Sequence, residues 1–239
     1  MALPVLKHPT FELTVPSTKQ KLTYRPFLVK EEKILLLSQA SDKISDLIRS
    51  VKQIINNCII EGDVNIDTLP TFDIEYIFLK LRANSVSDIA KFKFTDDESN
   101  KEIDIELDLK VVEVINPEGH FPLVELGNNI KLQMKYPTYD TLSKYGDGSE
   151  VVKATFDMIK VCVAQILVGE DEVHEFKDYT LSEVDTFVDS LTSQNFRDIQ
   201  TFFDTMPRLE HTVEYKVGKK TEKKVFTGLA DFFPSAWAT

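Results

Sequence analysis

The spacing of apolar residues changes period several times along the chain, and each change marks a boundary between elements. Near the start Phe11-Glu12-Leu13-Thr14-Val15 alternates, Pro16-Ser17-Thr18 turns, and Lys21 to Phe27 returns, which predicts a hairpin behind an extended arm. Glu31 to Ala40 reads as a helix carrying Ile34-Leu35-Leu36-Leu37. Ser41 can cap the next helix, in which Ile44, Leu47, Ile48, Val51, Ile54, Ile55, Cys58 and Ile59 share one face. Glu61-Gly62-Asp63 breaks it, and Asp67 to Thr71 opens a third helix bearing Phe72, Tyr76, Ile77, Leu79 and Leu81.

From Ser87 the period becomes strand-like. Ile89 to Phe94 leads into the polar turn Asp96 to Asn100, and beyond it Ile103, Ile105, Leu107 and Leu109 alternate with Glu102, Asp104, Glu106 and Asp108. Val111 to Val114 can extend the sheet, and Ile130 to Tyr136 supplies another strand. After a loop at Tyr145 to Gly148, Glu150 to Val168 reads as one long helix, apolar nearly all round in its second half and so buried between layers. Thr180-Leu181-Ser182-Glu183 is a capping box for a helix through Leu191. Ser193 can cap a last helix, Gln194 to Asp204, which Met206-Pro207 closes. Leu209 to Gly228 reads as a hairpin, followed by an apolar tail.

The expected fold is α+β: a mainly helical core carrying a β-rich insert and terminal β-hairpins. Its segments are an arm and hairpin over 1–28, a helical region over 29–86, the insert over 87–137, a second helical region over 138–207, and a hairpin with an aromatic tail over 208–239. Together they are expected to form one compact unit with an insert.

Composition narrows the function classes. With 42 % hydrophobic and 28 % charged residues the chain is ordinary globular material that needs no metal or disulfide to fold. Its net charge of −11 disfavours nucleic acid and anionic membranes as partners. No run approaches the length of an apolar membrane span, so no membrane association is expected. Cys58 and Cys162 lie inside apolar patterns, which suits buried free thiols in a reducing cytoplasm.

Candidate chemistry is sparse. His8, His120, His174 and His211 share no metal-ligand spacing, and no Gly-x-Ser-x-Gly elbow occurs. Gly146-Asp147-Gly148-Ser149 lacks the lysine of a phosphate loop. Glu102, Asp104, Glu106 and Asp108 share one strand face at about 6.5–7 Å spacing. A glycosidase needs two carboxylates in unlike environments, which equivalent neighbours do not provide. That face reads as solvated; a docking strip for a basic partner and a cation site are the other readings. No cofactor and no catalytic residue is expected. Two segments look adhesive: the arm Met1 to Val15, suited to strand addition, and the tail with Phe232, Phe233 and Trp237.

Three runs in order carry a resemblance. Tyr24-Arg25-Pro26-Phe27-Leu28-Val29-Lys30-Glu31-Glu32-Lys33 follows the first hairpin, Phe202-Phe203-Asp204-Thr205-Met206-Pro207 closes the last helix, and Gly228-Leu229-Ala230-Asp231-Phe232-Phe233 stands near the end. They resemble the T-even phage baseplate protein family, which includes a hub subunit and a hub assembly catalyst. The likeness spans about residues 10 to 233. It implies a non-catalytic structural subunit of a contractile-tail baseplate hub, with a transient assembly factor as the alternative; apart from the resemblance, a tail-associated glycan hydrolase stands as a remote reading. It implies other baseplate and hub proteins as partners, with self-association a further option, in the host cytoplasm during assembly and in the virion tail if retained. Some family members are expected to carry a cysteine-containing ribbon after Met-Pro; His211 to Val225 has no cysteine, so zinc is not predicted. The expected partner contacts are Arg25, Pro26, Phe27, Phe202, Phe203, Met206, Pro207, Phe232, Phe233 and Trp237.

Overall fold

The computed structural model describes residues 6–39, 43–95, 102–145, 151–217 and 220–232. Strands β1 (Phe11–Thr14) and β2 (Lys21–Tyr24) lead into helices α1 (Val29–Gln39) and α2 (Ile44–Cys58). Next come β3 (Ile59–Glu61), α3 (Thr71–Ser85), β4 (Ile89–Thr95), β5 (Glu102–Asp108) and β6 (Glu113–Ile115). Strands β7 (Leu123–Gly127) and β8 (Ile130–Met134) precede α4 (Tyr139–Tyr145), α5 (Val151–Cys162), β9 (Val163–Val168) and β10 (Glu172–Glu175). The order closes with α6 (Leu181–Asp189), α7 (Ser193–Asp204), β11 (Arg208–Val217), β12 (Lys220–Thr227) and α8 (Gly228–Phe232). The chain divides into two compact units: Met1–Ile115 with Arg208–Thr239, and Asn116–Pro207.

The first unit is organised around α3. Thr71, Phe72, Asp73, Ile74, Ile77, Phe78, Leu79, Leu81 and Ala83 are all buried, which occupies every side of the helix. It packs against α2, α8, β6 and β11. The stripe on α2, with Val51, Ile54, Ile55 and Cys58, is fully inside. Polar ties fix the surroundings to α3. Asn84 Nδ2 donates to the Tyr24 hydroxyl at 2.7 Å, the Phe27 amide donates to Ser85 Oγ at 2.9 Å, and Lys80 Nζ donates to the carbonyls of Lys110 and Val112 at 2.6 and 2.8 Å. Strands β1, β2 and β3 form one antiparallel sheet. Gly62 follows it at φ +121°, where an added Cβ would run into Leu22. The ribbon β4–β5 sets Phe92 against Phe226 and Phe94 against Tyr215, with ring centres 4.8 and 5.1 Å apart.

The second unit is a four-stranded antiparallel sheet, β10-β9-β8-β7, backed by helices. Its core joins Val124, Leu132, Met134 and Val163 from the sheet to Ile159 of α5, Val184 of α6, and Ile199 and Phe202 of α7. Thr180 and Glu183 form the expected capping box of α6. For α7 the cap is Thr192, with Asn195 in the reciprocal position, rather than Ser193.

The expected mainly helical core is corrected by these sheets: helices and strands are mixed, with four antiparallel sheets among the described residues. The decisive segment is the presumed long helix 150–168. It is helical only to Cys162 and then runs as strand β9, hydrogen-bonded on one side to β8 and on the other to β10. A continuous apolar run fits a buried helix or a central strand equally, and the β-branched Val163, Ile166 and Val168 favour the strand. The strands expected in one insert also part company, with β4–β5 forming a ribbon, β6 joining β11, and β8 pairing with β9 and with the unexpected β7. The residues expected at the Ser41 cap, the turn Asp96 to Asn100 and the loop 146–148 lie outside the described residues.

Asp73 is fully buried on α3 and accepts hydrogen bonds from the Ser17 amide at 3.0 Å and from the Ser17 hydroxyl. Burial pushes its carboxyl up to about 6, against the Ser17 hydrogen bonds and the charge of Lys19, which pull it down. Between the unfolded value of 3.8 and this raised one, the folded state binds the extra proton, so this contribution is present at low pH and lost as pH rises. Asp73→Asn keeps the acceptor for the Ser17 amide without the charge. Denaturant unfolding of both proteins at about pH 4.5 and 7.5 should show the variant gaining on the order of 2 kcal/mol relative to wild type at the higher pH. A pH-independent difference between them would refute this account.

Candidate functional site

Alternation along the strands of the second unit sends Ile130, Ile166, Val168 and His174 to the same side of the sheet as the core residue Leu132. Over that side lie the turn Phe176–Asp178 with Tyr179 just after it, and α6; they contribute Phe176, Tyr179, Val184 and Phe187. The helix does not fill the space against the sheet, and a cavity of about 310 Å³ remains with an almost wholly apolar lining. Its polar groups sit around that lining and are engaged with each other. His174 Nδ1 lies 2.5 Å from the Tyr179 hydroxyl, and its Nε2 lies 2.8 Å from the Glu172 carboxylate. Glu183 accepts from the Thr180 hydroxyl at 2.7 Å and the Thr180 amide at 2.8 Å, and these bonds hold its carboxyl below the usual range.

A second recess of about 300 Å³ lies between β7, an edge strand, and α7. Phe121, Leu123 and Val124 line one wall, and Asp198, Thr201 and Phe202 line the other. Phe121 is 70 % exposed, a large aromatic surface with no cover. Phe202 by contrast is buried in a stack, 5.2 Å from the His120 ring and 5.6 Å from Tyr136. His120 holds that stack, with Nδ1 3.0 Å from the Thr205 hydroxyl and Nε2 2.9 Å from the Tyr136 hydroxyl. Burial lowers its pKa. Asn195 Nδ2 donates to the Leu126 carbonyl at 3.0 Å and ties α7 to the edge strand.

The residues singled out from sequence fall in two places. Phe202, Phe203, Met206 and Pro207 come together in the second unit, where Phe202 and Pro207 are buried and Phe203 and Met206 half-buried. Arg25, Pro26, Phe27 and Phe232 belong to the first unit. Phe27 and Phe232 are buried, the latter 5.9 Å from the Phe226 ring. Arg25 reaches inward: Nη2 donates to Glu31 at 3.1 Å and to the Asn57 carbonyl at 2.9 Å, and Nη1 to the Pro26 carbonyl at 2.9 Å. Glu31 is fully buried and also accepts the Leu28 amide at 2.9 Å. Burial alone would raise its carboxyl, but Arg25, then the Leu28 amide and Lys30, outweigh it and hold the group below the usual range. Phe233 and Trp237 lie outside the described residues.

Sequence reasoning missed Phe121, Leu123, Tyr179 and Leu181. The run Phe121-Pro122-Leu123-Val124 was a usable signal, since apolar residues beside a proline suit a sheet edge. Glu102, Asp104, Glu106 and Asp108 sit on the open β4–β5 ribbon. There Glu106 pairs with Lys91 at 3.0 Å and Asp104 with Lys93 at 3.6 Å across the strands. Cys58 and Cys162 are free and buried, and burial pushes their thiols up to about 11 and about 12, far from reactive thiolates. Among the described residues no group of three or more His, Cys, Asp or Glu could hold a metal ion, and no helix is long and apolar enough to cross a membrane.

Residues 8–234 match the family described as T4 bacteriophage base plate protein. No curated protein and no solved structure matches.

The inward course of Arg25 has a measurable consequence. Arg25→Ala leaves a fully buried carboxylate without its main partner and should cost about 2–4 kcal/mol in denaturant unfolding. Replacing both groups, as Arg25→Met with Glu31→Leu, should recover most of that loss. Equal losses in the single and double variants would show that the pair does not clasp this part of the fold.

Proposed function

The chain belongs to the T4 bacteriophage base plate protein family, and on that premise we propose that it is a structural subunit of the hub of a contractile-tail baseplate, working through protein contacts and without catalysis. The observation that carries this reading is the family match, which covers nearly the whole chain rather than one module of it. A binding role also suits the surfaces. Large apolar side chains stand uncovered at Phe121 and Leu181, both in the second unit and both beside recesses or their lining residues. A partner that covered them would remove apolar area from water at about 25 cal/mol per Å².

The absence of catalysis is part of the proposal and is supported by the arrangement of the acidic strand. Glycoside hydrolysis needs one carboxyl protonated and one ionised, which requires unlike surroundings. Asp104 and Glu106 instead occupy like positions on an exposed ribbon, each beside a lysine. Partners under this reading are other baseplate proteins.

Particle composition tests the reading. Mass spectrometry of purified mature particles should find the chain at a fixed ratio to the other tail proteins. Recovery only in soluble complexes with hub proteins would make it an assembly factor that leaves, and recovery with neither would overturn the baseplate role.

A further inference from the structure

Charge is divided very unevenly between the two units. Asn116–Pro207 holds sixteen Asp and Glu against seven Lys and Arg, whereas the rest of the chain holds twenty-three against twenty-one. The smaller unit therefore carries −9 of the net −11. Within it the excess gathers in the segment that builds the cavity beneath α6. Residues 169–183 contain Glu170, Asp171, Glu172, Glu175, Asp178 and Glu183 but one basic residue, Lys177, which pairs with Glu175 at 3.8 Å. Their placement follows the lining. Glu172 is bonded to the lining residue His174, and Glu183 itself lines the cavity. Glu170 and Asp171 are exposed in the turn that follows the lining residue Val168, and Asp178 is exposed immediately before Tyr179.

We propose that this cavity is a socket for a large apolar side chain presented by a basic segment of another baseplate protein. The inference rests on the baseplate reading and names the chemistry of the partner. Two independent features meet at one place: an apolar recess of about 310 Å³ and the acidic segment around it. The recess rewards an aliphatic or aromatic anchor, the side-chain type that dominates interface energetics. The carboxylates select what flanks that anchor. A Lys- or Arg-rich segment is steered in, while an acidic one is repelled, and the same face of a second copy would meet like charge. Tyr179, 40 % exposed, and Leu181, 81 % exposed, supply apolar contact next to the anchor. His174 is held by Tyr179 and Glu172, which fixes its ring in the wall of the socket.

The test replaces Leu181, in the full chain, by the photo-cross-linking residue p-benzoylphenylalanine during infection, with Val29 of the other unit replaced in a parallel culture as control. Mass spectrometry identifies the linked segment, and particle composition is measured from the same lysate. The expected product joins position 181 to one baseplate protein, at a segment with a large apolar residue flanked by more Lys and Arg than Asp and Glu. Its yield should fall about threefold or more when Glu170→Gln and Asp171→Asn are added, because both positions are exposed in the turn and act through charge. The proposal is overturned by a link to an acidic or uncharged segment, to a second copy, or to Trp237 of the same chain. It is also overturned by no link from 181 while the chain is present in particles. A basic segment of a protein foreign to the particle would instead keep the socket and remove the baseplate reading.

Discussion

Helix α3 buries side chains on every side, Phe72 and Phe78 as well as Ile74, Leu79 and Leu81, so the first unit has to supply cover all the way round it. That requirement accounts for a topology that otherwise looks arbitrary. The chain departs into the β4–β5 ribbon, leaves the unit, and returns as β11, β12 and α8 to close over the same helix. Each cover is then fixed by a polar group that would be costly to bury alone. Asp73 holds the β1–β2 turn through Ser17, Asn84 holds Tyr24, Ser85 holds the Phe27 amide, and Lys80 gathers the carbonyls after β5. The apolar stripe brings the pieces together, and the hydrogen bonds decide their register.

The second unit solves a smaller problem less completely. A four-stranded sheet has two faces and two edges. One face of this sheet is tied by polar pairs, Lys131 with Glu125 at 2.8 Å and Gln165 with Glu175 at 2.5 Å, which suits contact with water. The other is covered by α5, α6 and α7, but three helices do not tile it fully, and the two recesses are what remains. Interiors are normally close-packed, so an apolar void open to the surface is a place where added atoms would gain contacts.

Much of this was legible wherever the signal is local. The stripe of α2, the start of α3, the Thr180–Glu183 box, the alternation over 102–108 and the two terminal hairpins each depend on residues close in sequence. What failed depends on distant partners. Val163 to Val168 became a strand because β8 and β10 stand on either side of it; its β-branched residues lean that way but do not name those partners. Strands β7 and β10 are short and half polar, with too few residues to show a period. The recess beside β7 is half visible in the sequence, through Phe202 in the Phe-Phe-Asp-Thr-Met-Pro run but not through its exposed neighbour Phe121. Exposure is a tertiary property, and a buried and an exposed phenylalanine look the same in a sequence.

The same distinction separates the runs that reveal the family from the surfaces that would choose a partner. Arg25 and Phe27 are turned inward, Phe202 and Pro207 close the core of the second unit, and Phe232 packs on Phe226. These residues specify a fold, and a fold alone names no partner. A partner meets what faces outward: the uncovered Phe121 and Leu181, and a unit whose carboxylates outnumber its basic groups by more than two to one. Those outward features are cheap to change, because surface substitutions seldom move stability by more than about 0.5 kcal/mol. The interior described here can therefore carry different recesses and different charge on its second unit without any change in the motifs by which the chain is recognised.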